Sequence, residues 1–148
     1  MGGRATGQVA KVIRNKSITF GLTGTVRPNN VLQYTDLPEI PGGANLDKWL
    51  TTELIPVLKK ALTDAQTVEV DKGLVDLNGM MILALPERVY YVGADFSWFR
   101  SEDGNYAVGS GAPYALGALY AGSTVKQAVE AALHYDIYSS GPIKVTRV

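Results

Sequence analysis

Ser110 is the hydroxyl best placed for chemistry in this chain. It sits in Gly109-Ser110-Gly111, within the stretch Y-A-V-G-S-G-A-P-Y-A-L-G-A-L-Y-A at residues 106–121. That stretch predicts the end of a strand at 106–108, a tight turn, and a helix of small residues from Pro113. Proline suits the first helical turn, where its missing N–H is not needed. The two glycines let the backbone turn sharply and pass close to another group. A hydroxyl at such a junction lies beside unpaired helix N–H donors and can meet a ligand or a reacting group. The same residue also makes an ordinary helix cap, and the local sequence leaves both readings open.

Other reactive side chains form no comparable constellation. His134 is the single histidine and there is no cysteine, which argues against a zinc site, a Ser–His triad, disulfides and thiol chemistry. No metal or other cofactor is expected. Asp95, Glu102 and Asp103 could bind Mg²⁺ or act as a carboxylate pair, but a solvated acidic loop explains them as well. Trp49, Phe96, Trp98 and Phe99 suit core or subunit contacts, and F-S-W-F at 96–99 could form an exposed apolar patch.

Composition bounds the rest. A chain of 148 residues predicts one domain spanning 1–148, large enough to bury a core without staples. Fourteen basic and fourteen acidic residues cancel, and no basic run marks a nucleic-acid surface. The longest apolar run, 80–86, is far too short to span a membrane, and no signal peptide opens the chain. A cytoplasmic protein is expected. Gly2 and Thr6 match a myristoylation pattern, but no polybasic patch follows to supply a second anchor.

The elements that must position Ser110 follow from periodicity. Residues 8–14 and 17–23 read as a hairpin, the second strand alternating Ile18, Phe20 and Leu22 with Ser17, Thr19 and Gly21. The apolar positions Leu46, Trp49, Leu50, Leu54, Val57, Leu58, Ala61 and Leu62 predict an amphipathic helix over 46–62, capped by Asn45 and kinked by Pro56. Residues 67–75 are ambiguous. Residues 79–85 and 89–96 predict a second hairpin, followed by a polar connection over 97–105. The helix over 113–121 should end at Gly122, with Gly117 and Ala118 packing closely against a neighbour. Thr124 and Gln127 form a capping box for a helix over 125–134, with Val125, Ala128, Val129 and Ala132 facing inward. A closing strand is expected over 142–148.

This order of elements, with G-S-G-A-P-Y-A followed about 25 residues later by D-I-Y-S-S-G, resembles the proteasome β-subunit and the HslV peptidase. More loosely it resembles short phage and bacterial members of the same N-terminal nucleophile (Ntn) hydrolase superfamily. The resemblance implies an α+β fold, a four-layer αββα sandwich with two stacked antiparallel sheets. It implies a threonine-type peptidase or amidohydrolase working on peptides as a homo-oligomer, a dimer or ring. In that family an N-terminal Thr hydroxyl attacks and its own α-amine serves as base. Lys11, in A-K-V, matches the lysine beside the nucleophile, whose charge depresses a neighbouring pKa. Ser110 matches the serine near the terminal amine. Asp136 and Ser139 match the acid and serine that orient it. Gly24, in L-T-G-T, falls at the oxyanion-hole N–H, and Thr6 at a substrate-pocket position.

The departures are equally specific. The chain as written opens inside the family's G-D-x-R-A-T motif, with Met1-Gly2-Gly3-Arg4-Ala5-Thr6. That leaves no room for the nucleophile-bearing first strand and puts Gly or Arg where an aspartate belongs. Two expectations follow: an enzyme whose nucleophile lies upstream, or a non-catalytic homo-oligomeric structural or binding protein of the same fold, of which a phage-encoded protein is one form. Each matched residue also has an ordinary role. Lys11 could be a solvated strand side chain, Asp136 a turn residue after a helix, and Ser139 a loop serine.

Overall fold

A computed structural model describes residues 11–42, 45–86, 88–100 and 103–147. Two antiparallel hairpins form the main sheet. Strands β1 (Val12–Asn15) and β2 (Ile18–Leu22) pair through the Lys16-Ser17 turn, and β5 (Met81–Ala84) and β6 (Val89–Val92) form the second hairpin. β2 joins β5, with Phe20 opposite Leu83 and Leu22 opposite Met81. The short β7 (Trp98–Phe99) adds an edge, giving the order β1-β2-β5-β6-β7. The ambiguous stretch becomes a separate two-stranded ribbon, β3 (Glu69–Asp71) with β4 (Leu74–Asp76). The architecture is mixed α and antiparallel β, as expected.

One face of the main sheet is covered by α1 (Arg27–Gln33), α2 (Leu46–Trp49) and α3 (Ile55–Asp64). Asn45 caps α2, its side chain accepting the Lys48 N–H at 3.1 Å. The predicted helix is continuous over 46–64, and Pro56 acts on the turn before it. Residues Leu50–Leu54 form a π-helical turn in which the Ile55 N–H reaches the Leu50 carbonyl. A wider turn is the usual response to a missing backbone donor and a crowded ring. Phe20, Leu32, Leu50, Leu54, Leu58, Leu62, Met81, Leu83, Tyr90 and Val92 are all buried between these layers. Thr19 is buried too, so β2 is covered on both faces, where alternation predicted one.

The helices α4 (Ala112–Tyr120) and α5 (Val125–Tyr135) pack on each other. The capping box forms as predicted: the Gln127 N–H donates to Thr124 Oγ1 at 3.1 Å and the Thr124 N–H to Gln127 Oε1 at 2.9 Å. Gly122 ends α4 in a left-handed conformation, φ +95°. The pair shares a small core of Ala115, Ala128 and Ala132, flanked by Ala107, Ala118 and Leu119.

Four expectations fail here. Gly117 faces open space, so the close approach is not there; it lies at Gly111, where an added Cβ would sit 2.8 Å from Ala132 Cβ. Val125 and Val129 lie outward and exposed, because the alanines alone fill the narrow gap between the helices. Residues 106–108 and 142–147 pair in no sheet among the described residues, since a strand-like pattern needs a partner backbone to become a strand. The F-S-W-F run is no continuous patch: Phe96 is buried, Trp98 half-buried and Phe99 exposed.

Candidate active site

The Gly-Ser-Gly turn and the end of α5 meet at one carboxylate. Ser110 Oγ donates to Asp136 Oδ2 at 2.6 Å and Ser139 Oγ donates to the same oxygen at 2.5 Å. Asp136 closes α5, its N–H bonded to the Ala132 carbonyl at 2.9 Å, and its own carbonyl accepts the Ser139 N–H at 3.2 Å. The D-I-Y-S spacing is therefore one tight turn that folds Ser139 back onto its aspartate. Asp136 is buried despite its charge. The Ser110 hydroxyl, then the Ser139 hydroxyl and the Tyr138 N–H, hold its carboxyl below the ordinary carboxylate range against the opposing pull of burial.

Glycine is required at 111 because the turn lies so close to this carboxylate. A Cβ there would fall 2.9 Å from Ser139 Oγ and 3.5 Å from Asp136 Oδ2, as well as against Ala132. Gly111 is itself the N-cap of α4 and no side chain caps the helix. Ser110 is thus not a cap: its hydroxyl turns away from the helix N–H groups and onto Asp136.

Thr23 links this wall to the sheet. It follows β2, and its Cγ2 lies 3.7 Å from where a Cβ on Gly109 would stand. Gly109 takes φ +107°, a conformation that side chains disfavour, so the turn needs glycine there. Tyr106, just before the turn, stacks on Tyr91 of β6 with ring centroids 6.5 Å apart. Gly24 comes next along the chain with φ +87°, and a Cβ on it would lie 3.0 Å from the Asn78 carbonyl oxygen. The backbone at the expected oxyanion position is therefore bent sharply at the same end of the sheet.

Ser110, Asp136 and Ser139 are brought together and Gly24 stands across Thr23 from their turn. Lys11 is at that end as well, because its carbonyl accepts the Leu22 N–H at 3.2 Å. Its side chain is exposed, and no hydrogen bond or ion pair ties it to the serines or Asp136. Thr6 lies outside the described residues. Of the acidic loop, Asp95 accepts the Ser97 N–H and hydroxyl, and Asp103 accepts the Asn105 N–H at 3.0 Å, which are turn-forming roles. Glu102 lies outside the described residues. Among the described residues no group of three or more acidic or histidine side chains is placed to hold a metal ion.

Two features had no clear sequence signal. Thr23 was visible only as one polar residue at a strand end. A second charged cluster joins the α2 layer to the sheet edge: Asp47 accepts from Tyr90 Oη at 2.7 Å and pairs with Arg88 at 3.2 Å and Arg100 at 3.3 Å. The Tyr90 hydroxyl, chiefly, holds the Asp47 carboxyl low, while burial pushes the Tyr90 phenol up. Nearby, Trp98 Nε1 donates to Thr51 Oγ1 at 2.8 Å and the Trp98 ring meets Tyr90 edge-on. This cluster fastens a helix to the sheet, and it shares no hydrogen bond with Asp136.

No protein-family profile and no curated protein sequence matches the chain. Solved structures do. Thiobacillus denitrificans BPH matches with a TM-score of 0.65 and 24% identity, covering 89% of this chain and 75% of that one. BPH in complex with Epoxomicin matches with a TM-score of 0.65 and 23% identity, covering 90% and 75%. HslV from Trypanosoma brucei matches with a TM-score of 0.54 and 21% identity, covering 88% and 75%. The chain has the fold of these BPH and HslV structures, as the sequence resemblance implied.

Proposed function

We propose that this chain carries the amine-orienting wall of a threonine-type peptidase or amidohydrolase that works as a homo-oligomer in the cytoplasm. The observation that carries the reading is the convergence of two serine hydroxyls, from a turn before α4 and a turn after α5, on one oxygen of Asp136. An ionised, hydroxyl-bonded carboxylate is suited to hold the α-amine of an N-terminal nucleophile as it takes up and returns a proton. In this reading Lys11 supplies positive charge beside the nucleophile and the Gly24 N–H stabilises the oxyanion of the tetrahedral intermediate. Thr6 belongs to the substrate pocket. The nucleophile is a hydroxyl at the processed N-terminus of the strand that the resemblance places ahead of the G-G-R-A-T motif.

Epoxomicin, the ligand bound in one BPH structure, is the natural probe. Intact-mass analysis after incubation should show one stoichiometric adduct, and N-terminal sequencing should place a hydroxyl residue first. Asp136→Asn should cut the labelling rate by about 10²-fold or more, the scale of lost acid–base assistance.

A second reading is a non-catalytic oligomeric module of the same fold. What favours it is the apolar surface of α4, α5 and the segment after them, with Tyr120 88%, Ile137 86% and Tyr138 79% exposed, more than a monomer needs. An unlabelled chain that elutes as a defined oligomer by light scattering supports this second reading against the first.

A further inference from the structure

Thr23 makes contacts on both sides that the wall and the oxyanion position share. Its backbone N–H donates to the Met80 carbonyl at 3.0 Å, and the Met80 N–H donates to Thr23 Oγ1 at 2.9 Å. One residue thus closes a clamp on the start of β5, to which its hydroxyl adds a longer bond, donated to the same Met80 carbonyl at 3.4 Å. Gly79 is needed beside it, since a Cβ there would lie 2.8 Å from the Thr23 carbonyl oxygen. The other branch of the side chain, Cγ2, points at Gly109 of the turn that carries Ser110. Both branches are bonded to one Cβ whose χ1 rotation is restricted, so the hydroxyl and the methyl move together.

We infer that Thr23 is a positioning residue that sets the Gly24 peptide against the Ser110–Asp136–Ser139 wall, its hydroxyl locking the peptide to Met80 and its methyl spacing the Gly109–Gly111 turn. This role rests on the proposed peptidase reading. The clamp itself does not. A one-atom change should separate the two branches. Thr23→Val keeps the methyl and the shape but leaves the Met80 N–H without its acceptor. Thr23→Ser keeps the acceptor and removes the methyl.

Two measurements on the full chain decide the matter. Amide hydrogen exchange should show Met80 exchanging about tenfold faster or more in Thr23→Val, the scale of one lost hydrogen bond, and near wild-type in Thr23→Ser. Exchange at Ser110 and Gly111 should rise instead in Thr23→Ser. With epoxomicin, Thr23→Val should lower the maximal inactivation rate about tenfold or more with the half-saturating concentration unchanged. Thr23→Ser should recover that rate in part. Unchanged Met80 exchange and unchanged inactivation in Thr23→Val would overturn the inference while leaving the peptidase reading intact. A wild-type chain that epoxomicin does not label overturns the peptidase reading, and with it the catalytic consequence of the clamp. The exchange pattern then still decides whether the clamp exists. Should Thr23→Val fail to fold, Thr23→Ser carries the exchange test alone.

Discussion

The leucine core beneath the sheet and the alanine core between α4 and α5 hold their layers in opposite ways. The first is thick: Leu32, Leu50, Leu54, Leu58 and Leu62 are fully buried against Phe20, Leu83 and Tyr90. Its stability comes from area removed from water, roughly 25 cal/mol per Å² of apolar surface. The second is thin, with three buried alanines and little area to remove. It is held by closeness and by the polar knot at Asp136. The body that supplies most of the stability therefore carries few of the candidate chemical groups, and the layer that carries Ser110, Asp136 and Ser139 contributes little burial. Precision at the site comes from short hydrogen bonds and a missing Cβ.

Truncation and growth should accordingly have reversed effects in the two regions. The largest loss is expected for Leu58→Ala, about 2–5 kcal/mol of unfolding free energy by urea titration, because a fully buried leucine leaves a cavity. Gly111→Ala comes next, at roughly 1–3 kcal/mol from overpacking against Ala132 and Ser139. The same variant should raise the exchange rates of the Ser139 and Ala112 amides. If Gly111→Ala is neutral in both, the alanine core is looser than its distances imply.

Acid sharpens the contrast further. The folded state holds the Asp136 carboxyl below its ordinary range, so its contribution is full above the unfolded carboxylate value of about 3.9. That contribution fades as pH falls from there through the lower folded value. Exchange in the last turn of α5 should rise over this window before the leucine core responds, and Asp136→Asn should abolish that pH dependence. The smallest effect is expected at Gly117. It is exposed and nothing lies near its Cβ position, so Gly117→Ala should stabilise α4 by up to about 1 kcal/mol in thermal melts. A destabilised Gly117→Ala would mean that this face is covered in the assembled protein.

The sequence made some of this plain and hid the rest for physical reasons. The long helix, its Asn45 cap and the Thr124–Gln127 box were legible because they depend on neighbours within four residues. The two hairpins were legible from apolar runs and turn residues. The strands expected at 106–108 and 142–148 were not realised in the described residues, since alternation says which faces are apolar and nothing about a partner. Small residues advertised a close approach in α4 but not which face makes it, and Gly111 takes the place given to Gly117. Ser110, Asp136 and Ser139 were named from a family pattern. Their meeting at one oxygen, across 26 residues of chain, had no local signal. Thr23 was overlooked because its role depends on where β5 and the turn before α4 arrive in space.

The π-helical turn over Leu50–Leu54 has a further consequence for the thick core. Residues four apart in a regular helix advance by about 40° beyond a full revolution, at about 3.6 residues per turn. Leu50, Leu54, Leu58 and Leu62 follow that spacing three times over, so an unbroken α-helix would rotate the last of them roughly 120° away from the first. The slower winding of the π turn returns part of that angle. It acts as a phase correction, keeping all four leucines aimed at the sheet along one continuous rod. Restoring the backbone donor with Pro56→Ala would remove the local reason for the wide turn and leave the packing of the four leucines as its remaining support.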